Sequence, residues 1–246
     1  MKYIVLVFCF LTSNFIFSQI VDLNSIQKKK QNLKDTSVQV FYEMSSYLMK
    51  RELSLNPYYN GTVLGEKINE TPRRMFSHSL GIRVPIMNVV FLDAGLAWVQ
   101  NGENYAYSNT DNDSSFIYNT SYRYFGMPVN LNFNLPLNPS NEHTLLGLFL
   151  RIGAIPQLYQ SYLQKTEWTT SLGSKESEKI KALDNPNTFM FSWHLSSGIS
   201  LLSKTNYGFK LAVHYKYSLT NTFTKYGDYI HIPYGLGYSL SLIKNL

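Results

Sequence analysis

The stretch Tyr234-Gly-Leu-Gly-Tyr-Ser-Leu-Ser-Leu242 decides the fold. Tyr234, Leu236, Tyr238, Leu240 and Leu242 fall on one side of an extended chain, and Gly235, Gly237, Ser239 and Ser241 on the other. A period of two is the pattern of a β-strand, whose successive side chains point to opposite faces. Here one face is bulky and apolar throughout, and the other is small or hydroxylic.

Seven earlier stretches repeat this pattern, at about 37–51, 75–86, 89–101, 116–135, 144–162, 188–203 and 207–219, with 232–243 the eighth. Val90, Leu92, Ala94, Leu96 and Trp98 oppose Asp93, Gly95 and Ala97. Val129, Leu131, Phe133 and Leu135 alternate with Asn130, Asn132 and Asn134. Phe209, Leu211, Val213, Tyr215 and Tyr217 oppose Lys210, Ala212, His214, Lys216 and Ser218. Each stretch reaches the roughly 9–11 residues that a tilted strand needs to cross a hydrocarbon layer. Antiparallel sheets in water alternate too, but their strands average about 5–6 residues.

The links between stretches alternate in length. Those after strands two, four and six are short (Met87-Asn88, Pro136 to Glu142, Lys204 to Asn206). Those after strands one, three, five and seven are long, at about 52–74, 102–115, 163–187 and 220–231. Strict segregation of short turns and long loops predicts an eight-stranded, antiparallel, up-and-down transmembrane β-barrel, all-β, with both termini on the short-turn, periplasmic side. Trp98, Tyr122, Tyr124, Tyr159, Tyr162, Trp193, Tyr215, Tyr217 and Tyr234 lie toward the long-loop ends. They read as an aromatic girdle at the bilayer interface.

Composition agrees. Of 246 residues, 44 % are apolar, 15 % aromatic and 15 % charged, against roughly 25 % charged in soluble domains. High aromatic and low charge content exclude disorder, and no apolar run beyond residue 19 is long enough for a membrane helix. Met1-Lys2, the apolar run Tyr3–Leu11 and the ending Phe17-Ser-Gln19 read as a secretory signal peptide, residues 1–18. Residues 19–36, with Lys28-Lys29-Lys30, read as a periplasmic leader, and 37–246 as the barrel. Cys9 follows Phe8, not a small residue, so lipidation is not expected, and the mature chain has no cysteine for a disulfide or a thiolate metal site. Removing Lys2 with the signal takes the net charge from +6 to +5.

The segment Tyr122-Arg-Tyr-Phe-Gly-Met-Pro-Val129 resembles the Tyr-x-Tyr-x-x-x-Pro-Leu/Val strand of small outer-membrane β-barrels of the Bacteroidota, the PorT-like or "outer membrane protein β-barrel domain" group. The signal's Phe-Ser-Gln ending and the closing Gly235–Leu242 strand are similar to that group as well, and the closing strand resembles a barrel-assembly signal. The resemblance spans about residues 37–246 and implies the fold and an outer-membrane location. It implies no activity, because the group is functionally mixed.

Alternation places Glu43, Arg83, Asp93, Arg151, His194, Lys210, His214 and Lys216 on the polar faces. The interior of an eight-stranded barrel is just wide enough for side chains to fill it. These eight residues are therefore expected to form a structural lumen network. His194 and His214 lack a third ligand at a recognisable spacing, so no metal and no cofactor is expected. His78, His143 and His231 fall near strand ends, where solvated histidine is the default. Ser108, Ser114, Ser115, Asp111 and Asp113 crowd one loop and His231 sits in another, but Gly-x-Ser-x-Gly is absent and no catalytic residue is assigned. Ser174–Leu183, with its spaced charges, is expected to form a short loop helix.

The chain therefore reads as a non-enzymatic integral outer-membrane protein, structural or an envelope-complex subunit presenting long extracellular loops. Its expected partners are outer-membrane lipid, the assembly machinery during insertion, and an envelope protein met through loops or leader, with no nucleic acid. The rivals are a rim-active lipid-modifying enzyme and a secreted lipocalin-like binder. The second would need the apolar faces inside.

Overall fold

The computed structural model describes residues 37–55, 69–108, 114–137, 144–183, 185–203, 206–224 and 229–246. The signal and leader expected at 1–18 and 19–36, together with Asp111, Asp113 and His143, lie outside them. Ten strands run β1 (Gln39–Leu55), β2 (Glu70–Met87), β3 (Val90–Ser108), β4 (Ser115–Gly126), β5 (Val129–Pro136), β6 (Thr144–Thr169), β7 (Lys175–Ile180), β8 (Phe189–Ser203), β9 (Tyr207–Ser218) and β10 (Tyr229–Asn245).

Eight staves close into a ring in the order β1, β2, β3, β4 with β5, β6, β8, β9, β10, and β10 pairs back to β1 along 39–55. All pairings are antiparallel. Strands β4 and β5 are one stave interrupted at Met127-Pro128, because proline has no N–H for the ladder. The interruption is spanned by Gly95 N donating to Pro128 O at 3.1 Å and Met127 N donating to Pro156 O at 2.9 Å. Even-numbered residues face inward on both sides of the break: Tyr122, Tyr124, Gly126, Pro128 and Asn130 are all buried.

The alternation sorts chemistry by face. Outward Leu80 is 58 % exposed and Leu211 52 %, whereas inward Arg83 is 2 %, Asp93 0 % and Lys210 1 % exposed. Aliphatic side chains outside and charges inside is the reverse of a lipocalin, and it suits a cylinder dissolved in acyl chains.

Several strands outrun their expected ends. β1 has 17 residues, β3 has 19 and β6 has 26, well beyond the roughly 9–11 that cross the membrane. The apolar alternation stops near Leu48, Trp98 and Leu158, but the strands run on, β1 paired to β10, β3 to β4 and β6 to β4. Above that level the outer face meets water, so polar residues stand on both faces and the period-two signal fades although the strand continues. Among the described residues of the expected long loops, most are thus strand.

The segment expected as a helix within 174–183 is the strand β7, paired to the top of β6 from Gln164↔Ile180 to Thr169↔Lys175. Its turn is closed by Gly173 N donating to Thr170 O and Thr170 N donating to Ser174 O, both at 2.9 Å. Gly173 takes φ +79° there, a conformation natural to glycine. The turn makes a hairpin of residues whose charge spacing alone also fits a helix.

Candidate functional site: a filled lumen and a tall wall

At the short-turn end, the Arg83 guanidinium on β2 donates from Nε to Asp93 Oδ1 at 2.6 Å and from Nη2 to Oδ2 at 2.7 Å. The two face each other across the β2–β3 ladder. Asn132 Nδ2 donates to the same carboxylate at 3.1 Å. Lys210 on β9 reaches across the lumen to Asn132 Oδ1 at 3.4 Å and Asn134 Oδ1 at 3.1 Å, with its ammonium 4.4 Å from the Phe149 ring centre.

The middle tier spans the full diameter. β1 and β6 stand four staves apart in either direction around the ring. Arg151 on β6 donates to Glu43 on β1 through Nη1 at 2.7 Å and Nη2 at 3.0 Å. Its Nε goes to Ser196 Oγ at 2.9 Å, and Ser241 Oγ donates to Glu43 at 2.7 Å. His214 Nδ1 lies 3.4 Å from Arg151 Nη2. His194 packs beside His214, ring centres 6.5 Å apart. A two-pronged guanidinium–carboxylate pair fixes both groups in one plane. It links two staves on opposite sides of the lumen.

One level higher, Lys216 on β9 donates to Asn101 Oδ1 on β3 at 2.8 Å, again four staves away, and its ammonium lies 4.9 Å from the Tyr47 ring centre. An apolar plug of Ala97, Val99, Tyr122, Tyr124, Ile155, Tyr162 and Met190 fills this level. Tyr122, Tyr124 and Tyr162, expected in the interfacial girdle, are interior residues. For Tyr122 and Tyr124 the phase was readable, since they share the even parity of Asn130. Tyr162 is different: β6 has a register shift opposite Arg123/Tyr124 that swings later even residues inward. Trp98, Trp193, Tyr215, Tyr217 and Tyr234 stay on the outer face. There Trp193 and Tyr215 pack with ring centres 5.6 Å apart, and Tyr217 OH donates to Glu52 at 3.2 Å.

At the tall end the β1–β2 pairing stops at Met49↔Arg73 and the β6–β8 pairing at Leu158↔Phe189. Side chains take over across the first split. Arg51 on β1 binds Glu70 on β2, donates to Tyr118 OH on β4 at 2.8 Å, and sits 3.5 Å from Glu103 on β3. Tyr122 OH donates to Glu103 at 3.1 Å. Burial pushes the Glu103 carboxyl up from the usual carboxylate range, against the pull of Arg51. His231, expected as a solvated loop histidine, is on β10 and 1 % exposed, 3.8 Å from Glu103. It packs against the rings of Tyr122 and Phe223. Ser108 and Ser115 face each other at the far end of the β3–β4 ladder, whereas His231 packs lower on the same strands, beside Glu103 and Tyr122.

Above the split, β3, β4, β6 and β7 continue as a wall. Tyr105, Tyr107, Phe116, Tyr118 and Trp168 lie on the face that also carries Glu103 and Thr120. Tyr105 and Tyr118 stack at 5.0 Å, and Trp168 Nε1 donates to Glu176 on β7 at 3.1 Å. Tyr107 and Phe116 are about two-fifths exposed. Among the described residues β7 pairs only with β6. Lys175 and Lys179 stand on this edge strand, as charges often do where pairing must be discouraged.

The eight residues expected in the lumen are all buried, and seven of them meet in the contacts above, while His194 has no hydrogen-bond partner. Sequence reading missed Arg51, Glu70, Asn101 and Glu103. They lie where apolar alternation has ended, and only the partner strands reveal which way they face. Among the described residues no group of three His, Cys, Asp or Glu is placed to hold a metal ion.

Fold and interior together define an eight-stranded transmembrane β-barrel with a side-chain-filled lumen. No family model and no curated protein matches the chain. Among solved structures it is similar to Neisserial surface protein A, at TM-score 0.38 and 9 % identity over 82 % of this chain and 95 % of that one. It is also similar to Ail, the attachment invasion locus protein of Yersinia pestis, at TM-score 0.28 and 12 % identity over 83 % and 98 %. The translocator domain of the autotransporter NalP from Neisseria meningitidis follows at TM-score 0.25 and 12 % identity over 93 % and 96 %. At such scores the fold rests on the strand pairing and not on these likenesses.

Proposed function

We propose that this chain is a non-enzymatic integral outer-membrane protein that conducts nothing and presents its tall wall outside the cell to an envelope or surface partner. The observation that carries this reading is the Glu43–Arg151 pair stretched across the lumen. A bore crossed by a buried bidentate ion pair, with Lys216–Asn101 above and Lys210–Asn132 below, supports a closed lumen. The strand length that exceeds the bilayer is spent instead on a projecting sheet with an aromatic face. The short-turn end, where Gln39 meets Asn245, is periplasmic in this reading. The Tyr122–Val129 segment and its Pro128 break support membership of the PorT-like barrels of the Bacteroidota.

Purified protein in planar lipid bilayers should give no single-channel steps, and protease applied to intact cells should cut within the wall while sparing the ring. Stable conductance steps from the wild-type protein would overturn the closed-lumen reading. Resistance to shaving, with cleavage only after the membrane is opened, would overturn the orientation.

A further inference from the structure

The membrane-level lumen is unbalanced in charge. Arg83 is matched by Asp93 and Arg151 by Glu43. Lys210 and Lys216, each 1 % exposed, have no carboxylate within ion-pair distance among the described residues. Lys210 is held by two amide oxygens and a ring face. Lys216 has one amide oxygen and the Tyr47 ring, leaving two of its three N–H groups to point elsewhere. An ammonium in a water-poor interior needs a counter-charge or must give up its proton.

Beside Lys216 lies a partly open cavity of about 40 Å³, whose lining includes Glu43, Tyr47, Asn130, Arg151, His194 and Lys216. His194 is the register partner of Lys216 on the neighbouring strand. It is 4 % exposed, and neither ring nitrogen has a hydrogen-bond partner. Asn130 Oδ1 is also unpartnered. The Glu43 carboxylate on the same border is engaged by Arg151 and Ser241, so it does not neutralise Lys216. A space of this size suits a monatomic ion with a water, or a few waters.

We infer that the cavity is a binding site for one small monovalent anion of halide size, held by the Lys216 ammonium and an N–H of His194. Asn130 Oδ1, an acceptor, is served by the accompanying water. The ion completes the charge balance of this tier, so it acts as a structural ligand that stabilises the native barrel over the unfolded chain.

The test uses bromide as probe. The full-length barrel is crystallised from detergent in sodium bromide, and anomalous diffraction is recorded at the bromine edge. The expected result is one peak inside the lumen, within hydrogen-bond reach of Lys216 Nζ and His194. A cavity with only water density, or a peak elsewhere in the lumen, overturns the inference and leaves Lys216 an uncharged amine. In parallel, thermal unfolding of wild type is followed by gel mobility in chloride and in gluconate at equal ionic strength. The midpoint should be higher in chloride by several degrees, and the difference should vanish in Lys216→Met. No chloride dependence in wild type, or an equal dependence in Lys216→Met, counts against the site. The diffraction arm needs only wild-type protein, so it stands even if the variant fails to fold.

Discussion

Below the level of Met49 and Leu158 the strands form a closed ring, and above it they form a wall with open edges. The two regions share strands and hydrogen-bond ladders but differ in solvent. In the ring, outside means hydrocarbon and inside means a sealed polar core, so outward residues are aliphatic and inward charges must be paired. In the wall the outer face meets water, so Lys165, Glu167, Lys175 and Lys179 sit openly on it, and aromatic rings collect on the inner side. The same secondary structure therefore follows two different rules for what a side chain should be. Stability is concentrated in the ring, where a broken polar contact has no water to replace it.

The sharpest way to break that contrast is Arg151→Met. It strands Glu43 and Ser196 without their partner, and loss of one member of a buried pair costs about 3–5 kcal/mol. Urea unfolding in lipid vesicles should show a loss of that order. Glu43→Gln added to Arg151→Met should recover part of it, since the two groups act as a unit. A variant as stable as wild type would mean that the cross-lumen pair holds nothing together.

Next in size is a matched pair of apolar-to-arginine changes. Leu80 is 58 % exposed in the middle of the outer belt and Ile117 is 39 % exposed on the wall. Leu80→Arg should cost about 2–4 kcal/mol, as charge at the bilayer midplane does. Ile117→Arg should stay within about 0.5 kcal/mol. Equal effects in the same vesicle assay would erase the difference in solvent that separates the two regions.

Gly153→Val probes how tightly the ring is filled. A Cβ there would lie 1.9 Å from Asn130 Oδ1 and 2.7 Å from Val129 O, so the side chain and the backbone of β5 would both have to shift. Overpacking of this kind costs about 1–3 kcal/mol. A crystal structure of the variant should show Asn130 displaced toward the cavity. The smallest effect is expected in the wall. Trp168→Ala removes the bond to Glu176 and one ring of the aromatic face, worth about 0.2–1 kcal/mol as cross-strand contacts go. The unfolding midpoint should barely move, while proteolysis within residues 170–183 should quicken.

Much of the ring was legible in the chain. The stretch 234–242 alternates without a fault, and Glu43, Arg83, Asp93, Arg151, His194, Lys210, His214 and Lys216 fall on the polar side of their strands because lipid outside forces a clean division. The wall was not legible. Arg51, Glu70 and Glu103 stand among polar neighbours on both faces, so alternation carries no phase there, and β7 shares its charge spacing with a surface helix. Tyr162 shows a third kind of failure. One extra residue in β6 reverses inside and outside, and nothing in the local pattern marks it.

The sequence by itself determined the eight staves of the ring and which belt residues share a face, because a period of two sorts bulky apolar side chains from small and polar ones along each stave. Only the tertiary structure decided which charges meet. The partners Glu43 and Arg151, or Asn101 and Lys216, lie 108 and 115 residues apart, and they come together only when the sheet closes and sets one stave opposite another.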